Sequence, residues 1–207
     1  MKLLDKESIV FLDNHLLAVD KPAMVETQGE LLTAAKQWIK DRFKKPGAVF
    51  LEPIHRLDKP ACGIVLFART SKALSRLQEE MRERRIKKTY HAIIEGTLPA
   101  KEGTLRHHLT HGEFRAHVDA KGKEAILHYS VIEKKGNKTL IEISLETGRY
   151  HQIRAQLGAI KCPILGDKKY GSHTDYSSGI ALRHVCMELE HPVTKQPLSL
   201  KIKGFSL

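Results

Sequence analysis

Between Pro53 and Gly63 the chain reads Ile54-His55-Arg56-Leu57-Asp58-Lys59-Pro60-Ala61-Cys62. Prolines at both ends, with the restriction Pro60 places on Lys59, exclude an uninterrupted helix. In an extended segment side chains alternate, so Arg56 and Asp58 project from one side and His55 and Leu57 from the other. A guanidinium beside a carboxylate favours the ionised form, and an ionised carboxylate is a competent nucleophile or base. On these residues alone an ordinary surface ion pair is the better reading. Rigid backbone ahead of Cys62-Gly63, where the chain can approach a ligand closely, favours the chemical one.

A second cluster, Thr147-Gly148-Arg149-Tyr150-His151-Gln152-Ile153-Arg154, stands where a strand hands over to a helix. His151 and Arg154 are three apart and therefore helical neighbours, while Ile153 points to a core. Exposed amides at the helix start favour an anion. A basic cap that serves only solubility fits the same residues equally well. His107, His108, His111 and His117 fall close together, but they match no standard zinc spacing and no acidic partners converge nearby. A metal-dependent nuclease or zinc module is the weaker reading, and no metal is expected.

The elements that must position these residues follow from apolar spacing. Ile9 to Leu12 and Leu16 to Val19 flank Asp13-Asn14-His15 as a hairpin. Leu31, Leu32, Ala35, Trp38, Ile39 and Phe43 recur at helical spacing. Ile64 to Ala68 is a buried strand. Thr70 or Ser71 caps a helix in which Leu74, Leu77 and Met81 face the core, with a basic face continuing to Lys88. Tyr90 to Glu95 is a strand, Gly103 to Gly122 loops and edge strands. Leu127, Tyr129 and Val131 pair across Lys135-Gly136-Asn137 with Ile141, Ile143 and Leu145. Ile153, Leu157 and Ile160 share a helix face. Val185, Met187 and Leu189, then Leu198, Leu200 and Ile202, form late strands. Strands joined mostly by hairpins with three interspersed helices predict an α+β fold on a largely antiparallel mixed sheet flanked by helices and loops.

Bulk properties narrow the partner. Lys and Arg total 35 against 24 Asp and Glu, a formal net charge of +11, which attracts polyanions and makes their binding fall steeply with salt. Nucleic acid is the first partner to consider. No apolar run approaches the roughly 20 residues of a spanning helix, and the N-terminus lacks a signal-peptide pattern, so no membrane association and a cytoplasmic location are expected. Cys62, Cys162 and Cys186 form no Cys-x-x-Cys pair and are read as buried small hydrophobes. Neither a Gly-x-Gly-x-x-Gly element nor a phosphate loop offers a nucleotide cofactor site. Without repeats or linkers, the 207 residues are expected to form a single domain, monomeric, with room for two lobes around a cleft.

His55-Arg56-Leu57-Asp58 followed by Gly63 and Phe67-Ala68 resembles the catalytic motif of the RluA family of RNA pseudouridine synthases. The same order continues through Lys88 with Tyr90, Gly122-Lys123-Glu124-Ala125, Thr147-Gly148-Arg149 with His151-Gln152-Ile153-Arg154, Pro163-Ile164-Leu165-Gly166-Asp167 with Tyr170-Gly171, and His191-Pro192. The resemblance implies that family's catalytic fold with a central cleft, and a reaction that breaks a uridine's glycosidic bond, rotates the base and rejoins it through carbon 5. It implies no cofactor. Asp58 becomes the catalytic carboxylate, Tyr90 the tyrosine that stacks on the target base, and Arg154 the arginine that pairs with the aspartate. Arg56 helps fill the gap left by the extruded nucleotide. His55, Arg149, His151 and Leu182 are the further substrate-binding candidates. The 71–88 helix with Lys168 and Lys169 offers phosphate contacts. The RNA is a transfer RNA, a ribosomal RNA or both.

The chain departs from the family pattern at Ala61-Cys62, where Thr-Ser is common, at Ala155-Gln156, where Val-His is frequent, and at Leu182-Arg183-His184, a loose match to Leu-His-Ala. It begins almost directly with the catalytic strands, which is read as leaving no room for a small RNA-binding domain in front. The alternative to an enzyme is an RNA-binding protein that keeps the fold without the reaction; retention of Asp58, Tyr90 and Arg154 together speaks against it.

Overall fold

The computed structural model of the chain describes residues 3–207. In chain order its strands and helices are β1 (Ile9–Leu12), β2 (Leu16–Lys21), α1 (Leu32–Phe43), β3 (Glu52–Pro53), β4 (Cys62–Ala68) and α2 (Ser71–Arg82). There follow β5 (Lys87–Glu95), β6 (Glu102–His111), β7 (Ala116–Val118), β8 (Lys123–Lys135) and β9 (Lys138–Leu145). The last are α3 (Gln152–Ala159), β10 (Leu182–Glu190) and β11 (Pro197–Lys201). The fold is α+β, as the pattern predicts. No helix among the described residues is long and apolar enough to cross a membrane.

Two compact units divide the chain. One holds residues up to Lys87 together with Val185–Ile202; the other holds Lys88–His184 and Lys203–Leu207. In the first unit the order is β1-β2-β4-β10, with β11 on β10 and β3 on β4. The uninterrupted apolar run of β4 is explained by burial on both sides of the sheet. Alternation sends Ile64, Leu66 and Ala68 to one face, where they meet Leu16, Ala18, Met187, Leu189 and the apolar stripe of α2. Antiparallel register sets Leu16 against Ala68 and Lys21 against Gly63, so β2 ends with a lysine beside the turn that precedes β4.

The second unit is an antiparallel sheet in the order β5-β9-β8-β6-β7, in which the hairpins β8–β9 and β6–β7 lie side by side and β5 pairs with β9. Leu127, Tyr129 and Val131 pair with Leu145, Ile143 and Ile141, as their alternation predicts, around the turn at Gly136-Asn137. Helix α3 is buried along its first six residues, Gln152 to Leu157, so it packs on more sides than its three spaced aliphatics imply.

Several expectations need correction. The 71–88 segment is not one helix: α2 stops at Arg82 and Lys87 and Lys88 lie in β5, because Ile86 must be buried in the core and Arg84 turns left-handed at φ 56°. On α2, Leu74, Leu77 and Met81 do face the core, Leu77 buried and the other two packed against it, but Glu80 is buried in their company as well. Burial raises the Glu80 carboxyl above its usual range. The 103–122 region, expected as loops and edge strands, holds an edge strand in β7, but β6 is an inner strand that pairs along eight residues of β8. Phe43 lies on the surface, with the Arg69 guanidinium 4.9 Å above its ring. Of the cysteines only Cys162 is buried.

Thr70 caps α2 by accepting from the Ala73 amide at 3.2 Å. Replacing it with Ala leaves that amide unserved, and Thr70→Ala is expected to lower the unfolding free energy by about 0.5–2 kcal/mol in a urea titration.

Candidate functional site

Asp58 sits on a turn in which its own carbonyl accepts from the Ala61 amide at 3.0 Å. Pro60 supplies the rigidity and the buried Leu57 side chain the anchor. The backbone on either side is held from beneath. Thr27 accepts from the Leu57 amide and donates to the Leu57 carbonyl, both at 3.2 Å. It is placed by a kinked turn, Thr27–Leu31, that opens at Gly29 with φ 144°. His55 accepts from the Leu66 amide through Nε2 at 3.2 Å, which ties the segment to β4 and leaves that nitrogen doing structural service. Arg56 is exposed and Asp58 half-buried.

Beneath this turn lies Lys21, with no exposed surface. Its ammonium donates to the carbonyls of Val25 at 2.7 Å, Pro22 at 3.0 Å and Lys59 at 3.2 Å. Three donors meet three acceptors, and the third acceptor is the residue after Asp58. Burial pulls the ammonium down to about 8 from its usual value, against the opposing pull of Cys62, Asp58 and Glu30. The lysine adds a positive charge below the carboxylate while fixing the loop that presents it.

In the second unit the 147–154 segment is organised by Gln152. Its Oε1 accepts from Thr147 Oγ1 at 2.8 Å and the Arg149 amide at 2.9 Å, and its Nε2 donates to the Ile126 carbonyl at 3.1 Å. Thr147 in turn accepts from the Ile126 amide at 2.9 Å. The side chain of Arg149 donates to the Glu124 carbonyl at 3.0 Å. The first residues of α3 are buried, and the Arg149 amide before it is bonded to Gln152.

Arg154, 4% exposed, forms a two-pronged pair with Asp167, Nε to Oδ2 at 2.7 Å and Nη2 to Oδ1 at 2.9 Å. Its Nη1 donates to His151 Nε2 at 3.1 Å. Because Nε2 accepts, the His151 proton resides on Nδ1, which donates to the Tyr170 hydroxyl oxygen at 2.9 Å. That oxygen also accepts from the Ala116 amide at 2.8 Å, and the guanidinium lies 5.0 Å over the Tyr170 ring. Tyr170 approaches this closely because residue 158 is Gly: a Cβ there would lie 2.9 Å from the Tyr170 carbonyl oxygen. The resemblance gives Arg154 the catalytic aspartate as its partner; inside its own unit the partner is Asp167. These bonds use three of the five guanidinium donors.

Tyr90 is buried on β5 opposite Ile143 and stacks on His184, centroids 4.6 Å apart. Leu182 is also buried, at the start of β10. At Ala155-Gln156, Gln156 is fully buried and its amide nitrogen lies within 3.1 Å of the carbonyls of Leu105 and Ala125 and of His107 Nδ1. Among the described residues no cluster of His, Cys, Asp or Glu is arranged to hold a metal. Sequence reasoning assigned nothing to Lys21, Thr27, Gln152, Asp167 or Tyr170. For Lys21 the only available hint was a lysine just past the apolar run Leu16 to Val19.

A family described as RNA pseudouridylate synthase matches residues 15–159. The uncharacterized RNA pseudouridine synthase YhcT of Bacillus subtilis is 32% identical over 200 residues, covering 91% of this chain and 65% of that protein. The dual-specificity RNA pseudouridine synthase RluA of Haemophilus influenzae is 32% identical over 208 residues, covering 95% of this chain and 92% of that protein. Several relatives are longer: the chain spans 53% of the ribosomal large subunit pseudouridine synthase D of Pseudomonas aeruginosa, at 34% identity over 79% of this chain. In fold, human RNA pseudouridylate synthase domain containing 4 superposes with a TM-score of 0.81 at 21% identity, over 95% of this chain and 88% of that one.

Two outcomes follow from the buried charges. Asp167→Ala strands a guanidinium and is expected to cost about 3–5 kcal/mol in urea unfolding, whereas breaking the exposed Lys36–Glu52 pair at 3.7 Å costs under about 1 kcal/mol. Between about 8 and 10.5 an unfolded Lys21 binds a proton that the folded one has released. Its stabilising contribution is therefore complete above that window and lost as pH falls through the folded value. The stability difference between wild type and Lys21→Met should grow as pH rises from 8 to 10.5; a difference independent of pH would show that the ammonium pays no penalty for burial.

Proposed function

The chain belongs to the RNA pseudouridylate synthase family, and we propose that it isomerises particular uridines of structured RNA to pseudouridine, with Asp58 as the catalytic carboxylate. The observation that carries this reading is the Asp58 turn. A half-buried carboxylate is presented on backbone fastened at Leu57 by Thr27 and at Lys59 by Lys21, within the stretch that matches the family. A carboxylate so held is pre-positioned for a reacting atom, which is worth more than mere proximity.

The reaction breaks the bond from ribose C1′ to uracil N1 and forms one from C1′ to C5; the C5 hydrogen leaves as a proton and N1 gains one. It is redox-neutral and consumes no co-substrate. Uridine in a stacked helix or loop hides that bond, so the nucleotide is flipped out at a cost of about a few kcal/mol, which basic side chains offset through phosphate contacts. Arg56, exposed beside the turn, is the side chain proposed to occupy the vacated space. Tyr90 is proposed to stack on the uracil and Arg154 to hold the carboxylate's charge, with Leu182 against the base and Arg149 and His151 toward the RNA. For His55, the bond to the Leu66 amide supports positioning the turn over touching substrate. Transfer RNA, ribosomal RNA or both are the proposed substrates, in the cytoplasm.

The test uses RNA labelled with tritium at uridine C5. Wild type is expected to release tritium without added cofactor, and Asp58→Asn to bind the same RNA while its release falls by about 10⁴-fold or more. Equal release by the variant would remove Asp58 from the mechanism. Absence of release by the wild type from both transfer and ribosomal RNA would remove the activity.

A further inference from the structure

The second unit carries an open groove of about 460 Å³ between β7, the C-terminal half of α3 and the turn Lys168–Tyr170. Its floor is made of short side chains, Ala116 and Ala155 among them, beside the Tyr170 ring. Around it stand Arg115, His117, Lys168 and Lys169, and no acidic residue lines it. At its edge, on the tip of the β6–β7 hairpin, Phe114 is 67% exposed.

That tip is held in place. Lys169 donates to the Phe114 carbonyl at 3.0 Å, Arg115 donates to the Lys169 carbonyl at 3.3 Å, and the Ala116 amide donates to Tyr170 at 2.8 Å. The ring is therefore presented by fixed backbone rather than left on a loose loop. Lys168 pairs with Asp175 at 2.6 Å, but both side chains are well exposed, and an exposed pair of this kind gives way to a stronger anion at little cost.

An exposed aromatic face beside several cations over a shallow apolar floor suits unpaired nucleic acid, whose bases stack while its phosphates meet the cations. An acidic peptide would satisfy the charge but offers no planar group for the ring. We propose that this groove seats an unpaired strand of the substrate RNA, Phe114 stacking on one base and Arg115, Lys168 and Lys169 meeting the adjacent phosphates. The identity of the partner rests on the RNA-modifying reading above. The strand would lie against Tyr170, the ring over which Arg154 is placed, so the groove adjoins a residue proposed for the reaction.

The experiment measures binding without turnover: fluorescence anisotropy of the full chain with a fluorescein-labelled oligouridylate of ten nucleotides, at several salt concentrations. Phe114→Ala is expected to weaken binding about tenfold, as loss of one stacked base does. Lys168→Glu is expected to weaken it and to lower the salt slope by about one. Both positions are exposed, and unchanged urea midpoints verify that the variants fold. Unaltered affinity in both variants overturns the proposal, as does displacement of the RNA by polyglutamate at equal concentration. Variant-sensitive binding in a protein that releases no tritium would sink the catalytic reading and leave the groove standing; tritium release with variant-insensitive binding would do the reverse.

Discussion

An ammonium group removed from water must find acceptors or give up its proton. Lys21, with no exposed surface, finds the carbonyls of Pro22, Val25 and Lys59. One side chain thereby joins the end of β2 to the segment after it and to the turn that carries Asp58. Since β2 is itself registered on β4, with Lys21 opposite Gly63, the turn inherits the rigidity of the sheet. Thr27 and His55 add anchors at Leu57 and Leu66. The buried charge is thus tolerated where it specifies a backbone path, at the expense of a depressed lysine.

The second unit solves a similar problem with an arginine. A guanidinium can satisfy a carboxylate through two parallel bonds and still reach other groups, which a lysine cannot. Arg154 pairs with Asp167, donates to His151 and lies over Tyr170, so the start of α3 and the 167–170 segment meet on one guanidinium. The tautomer of His151, the orientation of Tyr170 and the place of the β6–β7 hairpin are linked through it. Gln152 does the same for the 147–152 loop by bonding both to that loop and to β8.

Charge works on two scales in this chain. The formal excess of +11 belongs mostly to exposed residues and acts as a field on polyanions. Lys21 and Arg154 instead spend their charge inside the protein, where it orders carbonyls and a carboxylate. Counting basic residues therefore overstates how many face a partner.

Periodicity rests on nearest-neighbour geometry, and so the β8–β9 hairpin, the β4 core strand and a cap at Thr70 or Ser71 were legible from spacing alone. The motif residues were legible as types in order, Asp58, Tyr90, Arg149, His151 and Arg154 among them. What spacing does not carry is which buried polar group meets which, because such partners come from segments far apart in sequence: Lys21 with Lys59, Arg154 with Asp167, Gln152 with Ile126. The break of α2 at Arg82 escaped for a related reason, since burial of Ile86 outweighs the local helical preference of its arginines. The sequence by itself determined most of the element types, the basic character and the candidate carboxylate; only the tertiary structure decided where α2 stops and how that carboxylate's turn is held, because pairing of buried polar groups is settled by desolvation in three dimensions and leaves no period along the chain.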